Sequence, residues 1–261
     1  MRRRRGAVAA VRRRIGSVRQ LKKLFLIVVS RDRAWWRALV LGVPAGVEHR
    51  SVLGSLECST VVDVGANRGQ FALAARHRWP DAQVISFEPL DRPVSTFRRV
   101  FSRDPLTILH QSAIGPREDV GTMHLSRSDD SSSLLAITRL QDTVFPGTDE
   151  VGTVDVRVAP LAAFIESGSM VEPALLKIDV QGYELEVLRG CEPLLCEFDL
   201  IYCECSFVEL YEGQGLAGDV VQWLADHDFT MAGVFHAAYD DRGRAVQADF
   251  LFTRSEPGPR A

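Results

Sequence analysis

The sequence predicts an α/β fold: a seven-stranded, mainly parallel sheet with helices on both faces and a C-terminal antiparallel hairpin. Three observations carry that reading. Short β-branched apolar runs recur from residue 58 onward, with helix-period stretches between most of them, as expected of parallel strands joined by crossover helices. The last two runs are separated by a turn instead of a helix, so they pair antiparallel at one sheet edge. The composition, 46% hydrophobic and 25% charged over 261 residues, is enough for one sizeable core with an appendage.

In chain order, residues 1–50 read as a basic arm, helical or partly disordered, and residues 51–261 as the α/β domain. The first forty residues hold thirteen Arg or Lys against a single acid, Asp32, whereas the remainder is acidic. Leu21, Leu24, Phe25 and Val28 fit one helical face, with Trp35 and Trp36 further along. Such a segment suits peripheral contact with an anionic membrane, or else packs on the body. Its longest apolar run, Leu24–Val29, is far short of the ~20 residues that span a bilayer. No continuous apolar stretch of a secretory leader follows the first arginines, and the five cysteines are too irregular for a disulfide framework. The expected location is therefore cytoplasmic, and peripheral to the inner face of the membrane if the arm binds lipid.

The strands expected are Thr60–Val64, Gln83–Phe87, Leu106–His110, Leu175–Val180, Leu200–Cys205, Thr230–Phe235 and Ala248–Thr253. Helices are expected near 69–78, 92–102, 160–167, 183–189 and 217–227, and the hairpin turn at Asp240–Gly243. Between Gly115 and Pro160 the chain is polar and without steady period, which predicts a loop or lid on one or two short strands.

In an open parallel sheet, ligands sit beyond the carboxyl ends of the strands. The first strand ends in Asp63 and runs into Gly65-Ala66-Asn67-Arg68-Gly69; the second ends in Glu88, 23 positions after Gly65. An acid there can accept both ribose hydroxyls of an adenosine. The Gly-x-x-x-Gly spacing lacks the glycine that lets a backbone approach a pyrophosphate, which argues against a dinucleotide. S-adenosylmethionine fits better. Loop N–H groups would take its carboxylate and Asp63 its ammonium, while Ser112 and Ala113 after the third strand meet the adenine edge. Asp179 ends the fourth strand and would face the sulfonium methyl. It is the expected proton acceptor; the less favoured alternative is that it holds Mg²⁺. His236, just after the sixth strand, is a further candidate base, while His110 is expected to be packed. Glu204 lies opposite Cys203 and Cys205 on the fifth strand, so only one set can face a pocket.

"VVDVGANRGQFA", "ISFEP", "SAIG", "LLKIDVQGYELEVLRG" and "ADFLF" together resemble the FkbM family of S-adenosylmethionine-dependent methyltransferases, over roughly residues 58–254. The resemblance implies a Rossmann-like class I fold and methyl transfer to oxygen. Its acceptors are expected among sugars, including deoxysugars of glycolipids, or polyketides and other small molecules. Two departures stand out: Gln181 replaces the acid of the family's usual Asp-Val-Glu-Gly, and "APLAAFIE" replaces an acidic Leu-Asp pair. A non-catalytic module that keeps the cofactor site is the contrasting reading. Nucleic acid is not an expected partner, because the body is acidic and carries no aromatic-interleaved basic stripe. No metal ligand set is assigned from the sequence.

Overall fold

The computed structural model describes Ile27, Ser30 and residues 32–255. The arginine runs and the apolar face expected at Leu21, Leu24, Phe25 and Val28 lie outside the described residues.

The central sheet contains β1 (Thr60–Val64), β2 (Gln83–Phe87), β3 (Thr107–His110), β7 (Ala174–Ile178), β8 (Leu200–Ser206), β9 (Phe229–Tyr239) and β10 (Ala245–Arg254). Their spatial order is β3-β2-β1-β7-β8-β10-β9. β3, β2, β1, β7 and β8 run parallel, and β10 is antiparallel to both neighbours. This is the expected parallel sheet with its closing hairpin. All five residues of β1 and all five of β7 are buried, as strands covered on both faces require.

Alternate side chains feed two cores. Val61, Val84, Leu175 and Leu251 pack with Phe71, Leu73 and Phe97 of α3 (Gln70–Arg78) and α4 (Asp91–Val100). Val62, Ile85, Leu176 and Ile201 pack on the opposite face with Val187, Leu188, Val220 and Leu224 of α6 (Glu184–Cys191) and α7 (Ala217–Ala225). Each fully buried aliphatic side chain stabilises the fold by about 1.5–3 kcal/mol.

Packing extends N-terminal of residue 51. Helix α1 (Arg33–Val40) starts at Asp32, whose carboxylate accepts from Ala34 N and Trp35 N. Trp35 is buried and donates through Nε1 to the Leu73 carbonyl at 3.0 Å, whereas Trp36 is exposed. Only one of the two tryptophans is therefore open to an outside surface. A short turn at Val47–His49 and α2 (Arg50–Leu53) follow, and Val47, Val52 and Leu53 join the first core.

The 115–160 insertion is more ordered than a loop on short strands. Its β5 (Asp119–Ser126) and β6 (Glu150–Ala159) pair antiparallel, and β4 (Ala113–Ile114) adds to β6, giving a second sheet ordered β4-β6-β5. Helix α5 (Arg139–Val144) lies in the connection from β5 to β6, started by the Thr138 hydroxyl accepting from Gln141 N. The helix expected at 160–167 is a single 3₁₀ turn, Leu161–Ala163, because Phe164 leaves helical dihedrals while Leu161 and Ile165 turn into the second core.

Candidate active site

Strand order reverses between β1 and β7, so the crevice opens beyond the carboxyl ends of β1, β2 and β7. A cleft of about 450 Å³ lies there, within the ~300–1,000 Å³ usual for small-molecule sites. Gly65, Ala66, Asn67, Glu88, Ser112, Ala113 and Asp179 all line it. Gly65 has φ +80°, and a Cβ there would lie 1.9 Å from the Asp179 carbonyl oxygen, so β1 and β7 approach closely only because that side chain is absent. Gly69 (φ +92°) serves differently. It sits outside the lining, at the start of α3, where a Cβ would meet the Phe101 ring at 2.5 Å.

Glu88 is 6% exposed, and its carboxylate grips the loop: Oε2 accepts from Asn67 N at 2.9 Å and Oε1 from Leu90 N at 2.8 Å. Burial pushes its carboxyl up to about 7, against the pull of those two backbone donors. A carboxylate has about four acceptor positions, so two remain for the hydroxyls of a ribose. The group fits the cleft on that count. The loop N–H groups differ from expectation: Gly65 N and Ala66 N donate to the Phe87 carbonyl, Asn67 N to Glu88, Arg68 N to the Asn67 side chain and Gly69 N to the Ala66 carbonyl. They shape the loop instead of presenting donors to a carboxylate. The cations on this wall are Arg68 and Lys177.

Asp63 does not line the cleft. It is completely buried beneath it, with Oδ1 3.1 Å from Lys177 Nζ, so its carboxylate faces that ammonium and not the amino group of a ligand. Lys177 also lies 3.7 Å from Asp179 and 5.5 Å above the Phe71 ring, and donates to the Gly65 carbonyl at 3.3 Å. Burial alone would lower its ammonium; the fields of Asp63 and Asp179 outweigh it and hold the charge above the ordinary range. Sequence reasoning missed Lys177. The signal was a single cation in the apolar strand "LLKID", on the same face as Asp179 two residues later and in register with Asp63 on β1.

Asp179 Oδ1 accepts from Gln181 Nε2 at 2.8 Å, and the same amide donates to Glu204 Oε2 at 2.8 Å. The Tyr211 hydroxyl fixes the amide's orientation by donating to Gln181 Oε1 at 2.8 Å. Gln181 sits at φ +58°, a left-handed conformation that its three side-chain bonds hold in place. Glu204 Oε1 is taken by Gln247 Nε2 at 2.6 Å, and burial drives this carboxyl well above its usual range. Cys203 and Cys205 face the second core, which resolves the alternation on β8: Glu204 is on the polar side, spent on two amides and outside the cleft lining.

His236 is not in the lining either, nor does it follow its strand. It lies within β9 at a bulge, where two residues, His236 and Ala237, stand opposite Ala248 alone, and its φ of +49° re-aims the ring. There Nδ1 lies 2.7 Å from Asp249 Oδ2 and Nε2 lies 3.0 Å from the Glu48 carbonyl. The Tyr202 hydroxyl donates to the same Asp249 oxygen at 2.6 Å, and is 3.2 Å from Nδ1 of both His49 and His236. His49, His236 and Asp249 bring their donor atoms within 4.8 Å of one another. The Tyr202 hydroxyl stands among them and satisfies them with hydrogen bonds. Of this cluster only His49 lines the cleft. Ser112 is likewise occupied, donating to the Ala113 and Arg157 carbonyls, and His110 packs against Phe87 and Phe164.

The second sheet covers the open side. Met123, Asp129, Asp130, Ser132 and Leu134 reach the cleft from it, and Arg68 Nη2 lies 3.3 Å from Asp129 Oδ1, tying the insertion to the glycine loop.

The sequence profile of the methyltransferase FkbM domain matches residues 63–231. The 31-O-demethyl-FK506 methyltransferase FkbM of Streptomyces tacrolimicus is 30% identical over 66% of this chain and 72% of its own length. The 2-O-methyltransferase NoeI of Sinorhizobium fredii is 28% identical over 64% of this chain and 72% of its own length. Among solved structures, the magnesium protoporphyrin IX methyltransferase of Synechocystis PCC 6803, with bound S-adenosylmethionine, is 12% identical, covers 80% of this chain and 81% of its own, and superposes with a TM-score of 0.45. With most of its sheet and the whole glycine loop inside the matched region, the chain belongs to the FkbM family of S-adenosylmethionine-dependent methyltransferases.

Proposed function

We propose that this enzyme methylates a hydroxyl of a sugar, a deoxysugar of a glycolipid or of a related secondary metabolite. The observation that carries the reading is the mixed wall that the insertion contributes beside the glycine loop. Asp129, Asp130 and Ser132 face a cleft whose far side holds Asp179, a set of groups matched to several hydroxyls at once. Two relatives whose names place the methyl group on oxygen support the choice of atom. The FK506 relative's name favours a second acceptor class, a polyketide or other small molecule, and Met123 and Leu134 on the same wall would suit it.

S-adenosylmethionine supplies an activated methyl on a good leaving group, which leaves alignment and proton removal to the protein. Glu88 would anchor the ribose through its two remaining acceptor positions, and Ala113 would lie against the adenine. Arg68 and Lys177 supply positive charge for the carboxylate end. Near-attack alignment of this kind contributes about 7–11 kcal/mol toward the barrier. Asp179 would accept a hydrogen bond from a neighbouring hydroxyl of the acceptor, leaving the proton of the reacting one free. It is a poor Mg²⁺ ligand, since Oδ1 already accepts from Gln181 and Oδ2 faces the Lys177 ammonium at 3.7 Å. The proton itself needs an acceptor on the cleft wall, and Asp179 and His49 both stand there.

The test is incubation of the purified enzyme with S-adenosylmethionine and a panel of methyl glycosides, 6-deoxyhexosides included, beside a macrolide set. Formation of S-adenosylhomocysteine with a methyl ether on a sugar is expected. Turnover confined to the macrolides would overturn the sugar reading. A lipid-linked acceptor further implies that the basic residues 1–26 hold the enzyme at an anionic membrane. Deleting them should abolish sedimentation with phosphatidylserine vesicles, and unchanged partitioning would remove the idea.

A further inference from the structure

We infer that His49 is the catalytic base, taking the acceptor's hydroxyl proton on Nε2 while Tyr202 and Asp249 hold its ring and tautomer. The inference rests on the methyltransferase reading above and deepens it, since His49 lies before the matched domain and within the segment assigned to the arm.

The donors and acceptors of this cluster fix where its protons sit. Asp249 Oδ2 can only accept, so the Tyr202 hydroxyl, 2.6 Å away, donates its one proton there. Tyr202 is then left as an acceptor, and the contact of 3.2 Å to His49 Nδ1 places the His49 proton on Nδ1. His49 Nε2 is thereby the lone-pair nitrogen, and it has no hydrogen bond among the described residues. His236 comes out the other way. Both of its nitrogens face acceptors, Asp249 Oδ2 and the Glu48 carbonyl, so it carries two protons and pairs as a cation with Asp249. It balances the carboxylate behind Tyr202 and stays out of the cleft. A nucleophile's proton, a histidine and a third group that orients it make up the usual logic of base catalysis.

Several other titratable groups of the cleft wall are already engaged: Glu88 holds two backbone donors, Asp129 is paired with Arg68, Asp130 accepts from the Ser128 hydroxyl, and Lys177 is kept protonated by Asp63 and Asp179. Asp179 already accepts from Gln181 and faces Lys177. His49 is also held rigidly: its ring meets Phe71 edge-on at 5.2 Å and Tyr202 at 5.6 Å.

In the step itself, a lone pair of the acceptor oxygen forms the new bond to the methyl carbon. The carbon–sulfur bond breaks with its electron pair passing to sulfur, and the O–H proton passes to His49 Nε2. The products are a methyl ether, S-adenosylhomocysteine and a His49 imidazolium that releases its proton to solvent. His49 must begin neutral. Burial lowers its titration below the ordinary histidine value, with Lys177 and His236 acting in the same sense and Asp249 and Glu48 opposing; Tyr202 faces it as a neutral phenol. At saturating S-adenosylmethionine, kcat should therefore rise with pH through an acidic limb below about 6.5.

Two measurements test this. With a methyl 6-deoxyhexoside as acceptor, His49→Gln should lower kcat at least 100-fold and abolish the acidic limb, while S-adenosylmethionine affinity by calorimetry stays within about threefold. Tyr202→Phe should lower kcat about tenfold with KM unchanged and leave the limb displaced, a signature that loss of packing alone would not give. Parental kcat and an intact limb in His49→Gln would overturn the assignment. The second measurement needs no turnover: nitrogen NMR of the parent with S-adenosylhomocysteine at pH 7.5 should show neutral His49 protonated at Nδ1. An Nε2–H tautomer would refute the inference even if the sugar acceptor proved wrong.

Discussion

Replacing Lys177 with methionine isolates the buried charge beneath the cleft. Methionine keeps the strand and much of the volume but removes the ammonium 3.1 Å from Asp63, a carboxylate with no exposed surface. Breaking a buried pair by deleting one partner typically costs about 3–5 kcal/mol, because the remaining charge is left uncompensated. For a chain of this size that corresponds to a Tm loss on the order of 6–20 °C. Burial already pushes the Asp63 carboxyl above its usual range, with Lys177 pulling it back, so the variant raises it further. The sign follows from linkage. The folded variant holds a proton more tightly than the unfolded chain, so its deficit is full above the raised folded value. It closes as pH falls toward the unfolded value near ~3.9. Urea unfolding at several pH values, compared among the parent, Lys177→Met, Asp63→Asn and the double variant, measures the coupling. The double variant should recover most of the loss. A single variant within about 1 kcal/mol of the parent, or strictly additive effects, would show that the two charges are not coupled.

Gly65→Ala should abolish cofactor binding and lower stability by at least about 1–2 kcal/mol for the left-handed backbone alone, because its Cβ would collide with the Asp179 carbonyl; thermal shift and calorimetry report both. Ribose hydroxyls donating to Glu88 favour its ionised form, so affinity for S-adenosylmethionine should weaken several-fold between pH 8 and pH 6, as pH falls through about 7. A flat Kd over that range would argue against Glu88 as the ribose acceptor. Arg68→Ala removes a half-exposed ion pair to Asp129, so stability should change by no more than about 1 kcal/mol in urea unfolding, while acceptor KM rises as the insertion loses its tie to the glycine loop.

The parts of this fold that were legible in sequence are those where local pattern and tertiary demand coincide. Thr60–Val64 and Gln83–Phe87 run between the bounds that their β-branched content and flanking turn residues suggest, since both faces of a central strand select the same side chains. Glu88 and Gly65 were legible as parts of the cleft because an acid at the tip of β2 and a glycine at a tight strand exit are both marked in the local sequence. Asp63 was misplaced for want of one partner: reading β1 alone cannot show that Lys177 of β7 lies in register with it. His236 was misassigned because a bulge, which depends on pairing with β10, turns its ring toward Asp249. His49 carried no signal of its own. It reaches the cleft only because Trp35 and Val47 anchor the preceding segment on the α3 face of the sheet. The insertion looked irregular because β5 and β6 have one solvent face and pair chiefly with each other, leaving no strong apolar period.

A crystal structure with S-adenosylhomocysteine bound bears most directly on the central claim, that one nucleoside is held between the loop after β1 and the acid after β2. Both ribose hydroxyls should lie within hydrogen-bond distance of Glu88, with the sulfur over the Gly65 turn and facing Asp179. A ligand seated elsewhere, with Glu88 bonded only to Asn67 and Leu90, would contradict the account.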